Sequence, residues 1–358
     1  MATVRDVARE AGVSVASVSR ALNGHSNVAL ATRDRVFAAM RKLNFVPHAG
    51  ARSLTRQRSD AIGVVLPDLF GEFFSEIVRG IDQVAHRCGK QLLLANMHGS
   101  AHETAAAIRA MRGRVDGLLV MPPQVDEAFF KENLAHGLPT VVINHDASAL
   151  DLPSVAIDNY AGAYRMTQHL IERGCRRIVH IAGPRHNGDA RERQRGFADA
   201  MADILGERSP VIATGDFTEE GGRQAAQTLI AGQMPFDAVF AANGVSAIGC
   251  LASLADAGVA VPEQVAVAGF DDIPFARFLS PSLTTMEVHI VELGATAMEM
   301  LLQLMHGSSP GGQRHRILTP ELVIRQSSGG VRFNQQIDPT GPETTPATAR
   351  KGTFHGPC

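Results

Sequence analysis

A short helical segment near the amino terminus carries side chains suited to reading base edges in duplex DNA. The exposed face of this segment comprises Val15, Ala16, Ser19, Arg20 and Asn23. Arginine can donate two hydrogen bonds to guanine in the major groove, and the methyl groups of Val15 and Ala16 can contact thymine. Ser17 and Ser19 suit phosphate contacts, which position a protein without reading sequence. Considered alone, Arg20 is better explained as a solvated surface arginine. Its assignment as a base-contacting residue therefore depends on the surrounding elements.

Those elements are three short helices in the first 45 residues. Thr3 can cap the first helix, and Asp6 stands three residues later in the capping-box position. Gly12 supplies a left-handed stop, and Ser14 can cap the second helix, which is predicted over 15–22. The connection between these two helices is only residues 12–14 and contains a glycine, which is typical of a helix-turn-helix. A third helix is predicted over 32–43.

The charge distribution supports a polyanionic partner for this segment. Residues 1–60 contain far more Lys and Arg than Asp and Glu, whereas the whole chain has a net charge of −2. The remaining residues are therefore acidic. A basic head on an acidic body indicates that the head alone meets nucleic acid.

From residue 61 onward, short apolar strands alternate with amphipathic helices. This alternation predicts parallel sheets that are covered by helices on both faces. About ten strands are too many for one such sheet, so two similar lobes are expected. The predicted strands are 61–66, 91–95, 117–121, 140–144, 154–157, 178–182, 211–214, 238–241, 265–268 and 318–324.

Several other classes of protein are disfavoured. The cysteines Cys88, Cys175, Cys250 and Cys358 are scattered without a CxxC pair, so neither a metal site nor a disulfide framework is expected. No apolar run approaches the roughly 20 residues that span a bilayer, and no secretory signal is recognised. A cytoplasmic protein is therefore expected, and a solute-binding protein for transport is disfavoured.

The α/β part could alternatively belong to a nucleotide-dependent enzyme. However, no GxGxxG follows the first strand, and the chain contains neither a phosphate loop nor an HExxH motif. We therefore expect no enzymatic activity, no cofactor and no metal.

Taken together, these segments resemble the LacI/GalR family of bacterial repressors. The resemblance extends over about residues 2–328 and is most specific in the first 54. The segments that carry it are Met1–Ala8, Ala11–Ser14, Ser17–Asn23, Thr32–Arg33, Leu43–Pro47, Ala51–Leu54, Val115–Leu118, Val155–Asn159, Ile181–Pro184, Ala268–Asp271 and Pro281–Thr285.

The resemblance implies a helix-turn-helix head followed by a two-lobed α/β domain similar to periplasmic sugar-binding proteins. The expected boundaries are residues 1–46 for the head, 47–60 for a hinge helix and 61–330 for the effector-binding and dimerisation domain. The first lobe would take 61–158 and 289–317, and the second 159–288 and 318–330. Residues 331–358, rich in Pro, Thr and Gly, are expected to form a disordered tail.

On the DNA side, the resemblance gives Val15, Ala16 and Arg20 as the base-contacting positions. Leu54 matches a hinge leucine that enters the minor groove at a central CpG step, although a linker leucine packed on its own domain is the alternative. The full set of expected DNA contacts is Val15, Ala16, Ser17, Ser19, Arg20, Asn23, Arg52 and Leu54.

On the ligand side, the resemblance places the effector between the lobes. The matching positions are Asp68, Phe73, Phe74, Asn144, Arg193, Phe217, Asn243 and Asp271. Acidic, amide and guanidinium groups suit hydroxyls, and phenylalanine suits a sugar ring, although each phenylalanine could be ordinary core. Asp271 is the strongest candidate because it follows a predicted strand.

Some positions depart from the family pattern. Gly244 and Val288 stand where Asp and Gln are common, and Asn144 replaces a frequent Asp. Asn187 and Asp189 occupy places where purine-binding members carry Arg and Thr, which argues against a purine. These departures leave a carbohydrate as the expected effector.

The expected function is that of a homodimeric repressor on a pseudo-palindromic operator with a central CG. A sugar would control operator affinity, as an inducer of genes for sugar uptake or catabolism. A ligand-dependent activator or a corepressor-type regulator is the alternative.

Overall fold

A computed structural model describes residues 2–22, 28–45, 59–98, 100–122, 127–134, 137–144, 152–232, 234–307 and 314–329. The chain divides into two compact units. The first contains the residues up to Ala61 together with Arg114–Asp116, and the second contains the remainder. No described helix has the length and apolar character that a bilayer crossing requires.

The first unit is built on three helices, α1 (Val4–Ala11), α2 (Val15–Leu22) and α3 (Leu30–Lys42). The capping box at α1 is formed, because Thr3 and Asp6 exchange side-chain to backbone hydrogen bonds of 3.3 and 2.9 Å. Gly12 ends α1 with a φ of 63°, as predicted. A small apolar core joins the three helices and includes Val7, Val18 and Val36, each 0% exposed.

The second unit begins with a six-stranded sheet, and we call this sheet with its helices the first lobe. Its strand order is β11-β5-β4-β3-β1-β2, with parallel pairing from β11 through to β1. The strands are β1 (Ala61–Leu66), β2 (Gln91–Asn96), β3 (Gly117–Val120), β4 (Thr140–Ile143), β5 (Ser154–Ile157) and β11 (His315–Leu318). Its helices are α4 (Glu72–Arg87), α5 (Ala101–Met111), α6 (Glu127–Asn133) and α11 (Ile290–Met305).

The second lobe has a four-stranded parallel sheet of order β7-β6-β8-β9. Its strands are β6 (Ile178–Ile181), β7 (Val211–Ala213), β8 (Ala238–Ala241) and β9 (Ala266–Ala268). Its helices are α7 (Asn159–Glu172), α8 (Gly188–Leu205), α9 (Glu219–Ala231) and α10 (Gly244–Asp256). A separate antiparallel pair joins β10 (Thr285–Glu287) to β12 (Glu321–Val323).

Helix pairs pack closely on these sheets. In the first lobe, α4 lies against α11, and a Cβ added at Gly80 would overlap the carbonyl of Val291. In the same interface, a Cβ at Gly294 would overlap the carbonyl of Ile77. The two glycines therefore allow the helix backbones to approach each other. Helix α11 also contacts strands β3, β4 and β5.

Nine of the ten predicted strands occur within a residue or two of their expected bounds, but the tenth is wrong. Instead of one strand over 318–324, the chain forms β11 and β12 in different sheets. Pro320 lies between them, and proline cannot donate to a strand ladder. Strand β10 and helix α6 were not predicted. Cys175 and Cys250 are free thiols.

Candidate DNA-reading helix and effector site

Helix α2 presents a clear exposed face. Its first turn is capped by Ser14, whose hydroxyl oxygen accepts a hydrogen bond of 3.1 Å from the Ser17 amide. Val18 and Ala21 are buried in the core of the first unit. Because these residues fix the rotation of α2, Val15, Ala16 and Arg20 point to solvent. The predicted base-contacting positions therefore share one accessible surface.

The Arg20 side chain lies along its own helix. Its Nε atom donates a hydrogen bond of 3.3 Å to the carbonyl of Ala16, one turn earlier. The bond engages Nε rather than the two terminal nitrogens, which form the fork that recognises guanine. Ser17 and Ser19 are partly exposed beside it. The remaining predicted DNA contacts, Asn23, Arg52 and Leu54, lie outside the described residues.

The effector positions separate into a buried cluster and a more open group. Asn144, Arg193 and Asp271 come together with Asp189 and Asn159, and we call these five residues the polar cluster. Asn144 follows β4 in the first lobe, whereas Asp189 and Arg193 lie on α8 in the second. Asp271 follows β9. The cluster thus collects residues from the carboxyl ends of strands in both sheets, where open α/β folds bind ligands.

Arg193 is the centre of the polar cluster. Its Nε donates to Asn159 Oδ1 at 2.8 Å, and its Nη1 donates to the carbonyl of Ala242 at 2.6 Å. Its Nη2 lies 2.9 Å from Asp271 Oδ1. The guanidinium carbon stands 4.0 Å from the centre of the Phe270 ring. Every nitrogen of this buried side chain is therefore engaged by the protein.

Asp271 is held in an unusual backbone conformation. Its φ is 84°, and that of Asp272 is 50°. Left-handed φ values are costly for residues other than glycine and persist only where neighbours enforce them. Here Arg325 binds the Asp272 carboxylate at 2.6 and 3.0 Å, and the Asp272 amide donates to Thr285. This bracing fixes the direction of the Asp271 carboxylate.

Asp189 was not among the predicted site residues, yet it joins the two lobes. Its Oδ1 accepts a hydrogen bond of 2.9 Å from Asn159 Nδ2, and its Oδ2 accepts a short one from Asn144 Nδ2. Burial raises the pKa of Asp189 to about 6, although the nearby Arg193 lowers it. Burial likewise raises the pKa of Asp271. The sequence offered one signal for this contact, because both positions depart from the family pattern. Asn144 replaces a frequent Asp, and Asp189 stands where purine-binding members carry Thr.

Asn243 and Phe217 form a supporting pair beside the cluster. Asn243 caps α10, since its Oδ1 accepts from the Ser246 amide at 2.9 Å. Its Nδ2 donates to the carbonyl of Phe217 at 3.0 Å, and Phe217 has a φ of 72°. The Phe217 ring centre lies 5.8 Å from the Arg193 guanidinium. Both hydrogen-bonding ends of Asn243 are therefore used in holding the loop that carries Phe217.

The remaining predicted positions lie outside the cluster. Asp68 is exposed after β1, and its Oδ1 accepts the backbone amides of Leu69 and Phe70 at 2.7 and 3.0 Å. Phe73 and Phe74 are half-buried on α4 and contact each other edge to face at 5.5 Å. They also pack against the main core, which supports the alternative that they are structural.

A cavity of about 740 Å³ opens beside Asp271. One wall comes from α4 and α11 of the first lobe, and the other from the segment that follows Asp271, which includes a 3₁₀ helix over Pro274–Phe278. The volume is of the size that small-molecule sites have. The cavity therefore lies between the lobes and includes one carboxylate of the polar cluster in its lining.

Comparisons with known proteins agree with this architecture. Residues 3–48 match the model of bacterial regulatory proteins of the lacI family, and residues 167–328 match a periplasmic binding protein-like domain. The regulator GalR of Salmonella typhimurium is 36% identical over 329 residues, which are 91% of this chain and 96% of that protein.

Two solved structures are also similar over 91% of the chain. The lac repressor dimer bound to operator and the anti-inducer ONPF has a TM-score of 0.82 at 27% identity, with 99% of that chain covered. The complex of the regulator CelR with cellobiose has a TM-score of 0.68 at 30% identity, with 100% covered.

The chain belongs to the lacI family of bacterial transcriptional regulators. It is a DNA-binding repressor and not an enzyme. Regulators of this family act in the cytoplasm, where their DNA is. The membership of the LacI/GalR family that the sequence predicted is confirmed.

Proposed function

We propose that the polar cluster binds a small carbohydrate and that this binding controls operator affinity. The observation that carries the proposal is the cluster itself, in which Asn144 of the first lobe meets Asp189, Arg193 and Asp271 of the second. A ligand held there contacts both lobes, so its affinity depends on the angle between them. A ligand controls DNA binding only through such differential affinity. The similarity to the CelR–cellobiose complex supports a sugar as the ligand.

On the DNA side, we propose that α2 lies in the major groove. Val15, Ala16 and Arg20 would contact bases, and Ser17 and Ser19 would contact phosphates. Two copies of the chain would place two α2 helices on a pseudo-palindromic operator with a central CG. The solved lac repressor is a dimer on its operator, which supports this arrangement. Asn23, Arg52 and Leu54 complete the proposed contacts.

The proposed boundaries are 1–46 for the DNA-binding head, 47–60 for the hinge and 61–330 for the effector domain. Sugar binding would release the operator, so the regulated genes would serve sugar uptake or catabolism. The polyol-like chemistry of the cluster supports release of the operator by the ligand. Tighter operator binding in the presence of sugar would instead identify a corepressor-type regulator.

A ligand screen followed by a gel shift tests the proposal. The full-length protein is screened by thermal shift against monosaccharides and disaccharides, and operator duplexes are selected by the protein from a random library. We expect at least one sugar to raise the melting temperature and to release the operator. Asp271→Asn should lose both effects, whereas Asp199→Asn, elsewhere on α8, should retain both. A sugar response that survives in Asp271→Asn would contradict the assignment of the site.

A further inference from the structure

Two buried oxygen atoms in the polar cluster accept no hydrogen bond within the described part of the chain. They are Asn144 Oδ1 and Asp271 Oδ1, on residues that are only 8% and 5% exposed. Asp271 Oδ1 forms an ion pair of 2.9 Å with Arg193 Nη2, so Asn144 Oδ1 is the one of the two that has no partner of either kind among the described residues. Because a buried acceptor without a donor costs free energy, these atoms are suited to donors on a bound molecule. Asp271 also lines the cavity between the lobes.

The donor nitrogens around these acceptors each have a partner within the protein. The three nitrogens of Arg193 are engaged by Asn159, Ala242 and Asp271. The amide nitrogen of Asn159 donates to Asp189, and that of Asn243 donates to Phe217. Each side-chain nitrogen of the cluster therefore already has a protein partner, whereas Asn144 Oδ1 has none in the part of the chain that the structure describes.

The charge balance points the same way. Asp189 and Asp271 stand against the single guanidinium of Arg193, and Asp189 receives its hydrogen bonds from the amides of Asn144 and Asn159. When both carboxyls are ionised, the cluster carries an excess negative charge. The cavity wall adds Glu76, Asp272, Glu287 and Glu292, of which Glu76 pairs with Arg79 and Asp272 pairs with Arg325, and the wall also contains Arg277 and His289.

We propose that the effector is an amino sugar, whose protonated amino group and hydroxyls donate to Asp189, Asp271 and Asn144. The inference rests on the proposed function, because it names the class of carbohydrate that the same site takes. An ammonium group adds a Coulomb attraction to a buried carboxylate that a neutral hydroxyl lacks, so it gains more here than a hydroxyl. A sugar phosphate or sugar acid would add acceptors and negative charge where both are already in excess.

The titration of Asp189 gives this proposal a second readout. Burial raises its pKa to about 6, so the carboxyl is partly protonated at pH 6. Arg193 and Asp271 are the charged groups that act on it, with opposite effects. A ligand ammonium beside Asp189 favours the ionised form, so binding at pH 6 releases protons. A neutral sugar brings no charge and releases fewer.

Isothermal titration calorimetry of the full-length protein tests the proposal with matched ligands. The two series are D-glucosamine, D-glucose and D-glucuronate, and D-galactosamine, D-galactose and D-galacturonate. We expect at least one amine to bind about tenfold more tightly than its neutral partner, and the matching acid to bind most weakly. Titrations at pH 6 in buffers of different ionisation enthalpy should show proton release for the amine.

Asp189→Asn should remove both the preference for the amine and the proton release, whereas Asp199→Asn should keep both. Circular dichroism confirms folding of each variant, and Asp189→Ser replaces Asp189→Asn if the latter is unfolded. An amine preference that persists in the folded Asp189 variant would overturn the role of that carboxylate.

The remaining outcomes are equally decisive. A neutral or acidic sugar that binds as tightly as its amine overturns the amino-sugar proposal and leaves the proposed function intact. Failure of both amines to bind at about 20 mM, well above the Kd of a weak ligand, also overturns it. Failure of every sugar in the wider screen to bind would overturn the proposed function itself.

Discussion

Arg193 and Asp271 form an ion pair inside the second lobe, with Nη2 and Oδ1 2.9 Å apart and side chains only 3% and 6% exposed. The pair connects α8 to the loop after β9, so it belongs both to the effector site and to the packing of the lobe. Removing one partner of a buried pair leaves an uncompensated charge. A ligand-binding residue here is therefore also a structural residue.

Asp271→Ala should consequently lower stability as well as ligand response. We expect the free energy of unfolding to fall by about 3–5 kcal/mol, because Arg193 would remain buried without its carboxylate. Urea unfolding of the effector domain, followed by circular dichroism, measures this change. Asp271→Ala combined with Arg193→Leu should lose less than the sum of the single changes. Additive losses would show that the two side chains are not coupled.

Arg20→Ala should weaken specific operator binding by about 1–3 kcal/mol, which is the discrimination a bidentate arginine gives against a wrong base. The measurement is fluorescence anisotropy with the selected operator and with single-base variants. The loss should be confined to one position in each half-site. Arg9→Ala, which removes a guanidinium from α1, serves as the control. An equal loss in both variants would reduce Arg20 to a general phosphate contact.

Helix α3 begins without a side-chain cap. Ala29 occupies the N-cap position with φ −55° and ψ 139° and makes no capping hydrogen bond. Ala29→Ser should stabilise the first unit by about 0.5–2 kcal/mol, since a serine hydroxyl can accept a free amide of the first turn. Thermal unfolding of the full-length chain measures the effect. Ala38→Ser, in the exposed middle of α3, should not stabilise, and an equal gain there would refute the capping explanation.

Two buried groups should make opposite contributions to stability between about pH 4 and pH 6. His180 packs against the rings of Phe197 and Phe240, and its Nδ1 is hydrogen-bonded to the Phe240 carbonyl at 2.8 Å. Burial lowers its pKa to about 4, so below the unfolded pKa of about 6.5 the unfolded chain binds the proton and stability falls as the pH falls. Asp189, with its pKa raised to about 6, gains stability over the same range as the pH falls, and Asp271 acts in the same direction.

Single variants should separate these contributions. In His180→Phe, stability should decrease as the pH rises from 4 to 6, at up to about 1.4 kcal/mol per pH unit for each proton. In Asp189→Asn, stability should change more positively with rising pH than in the unmodified protein, because one carboxyl contribution is removed while His180 remains. Urea unfolding at half-unit pH intervals gives both slopes. Parallel curves for the two variants would contradict the assignment.

The strands were predictable because parallel strands buried on both faces read as uninterrupted apolar runs. Strand β3, with the sequence Gly117–Val120, is buried at every position. Caps were equally local, since Thr3 and Asp6 are three residues apart. Strand β10 has only three residues, Thr285–Glu287, and owes its pairing to β12, which lies more than thirty residues later. No local pattern encodes such a partner.

The same distinction explains what was missed at the site. Asp189 receives its hydrogen bonds from Asn144 and Asn159, which are 45 and 30 residues away in sequence. Its raised pKa arises from burial that only the folded lobes create. The sequence showed that Asn144 and Asp189 both depart from the family pattern but not that the two side chains touch. Asn243 was proposed as a ligand contact, and the structure gives both ends of its amide a protein partner.

The most direct test of the account is a DNase I footprint on DNA that carries an operator selected by the intact chain from a random library, made with the intact chain and with a protein that lacks residues 1–60. We expect the intact chain to protect a pseudo-palindromic site and the shortened protein to protect nothing, while both show the same sugar-dependent thermal shift. The shared thermal shift would establish that the shortened protein is folded. The same footprint from both proteins would contradict the claim that the amino-terminal helices read the DNA and the two-lobed domain senses the ligand.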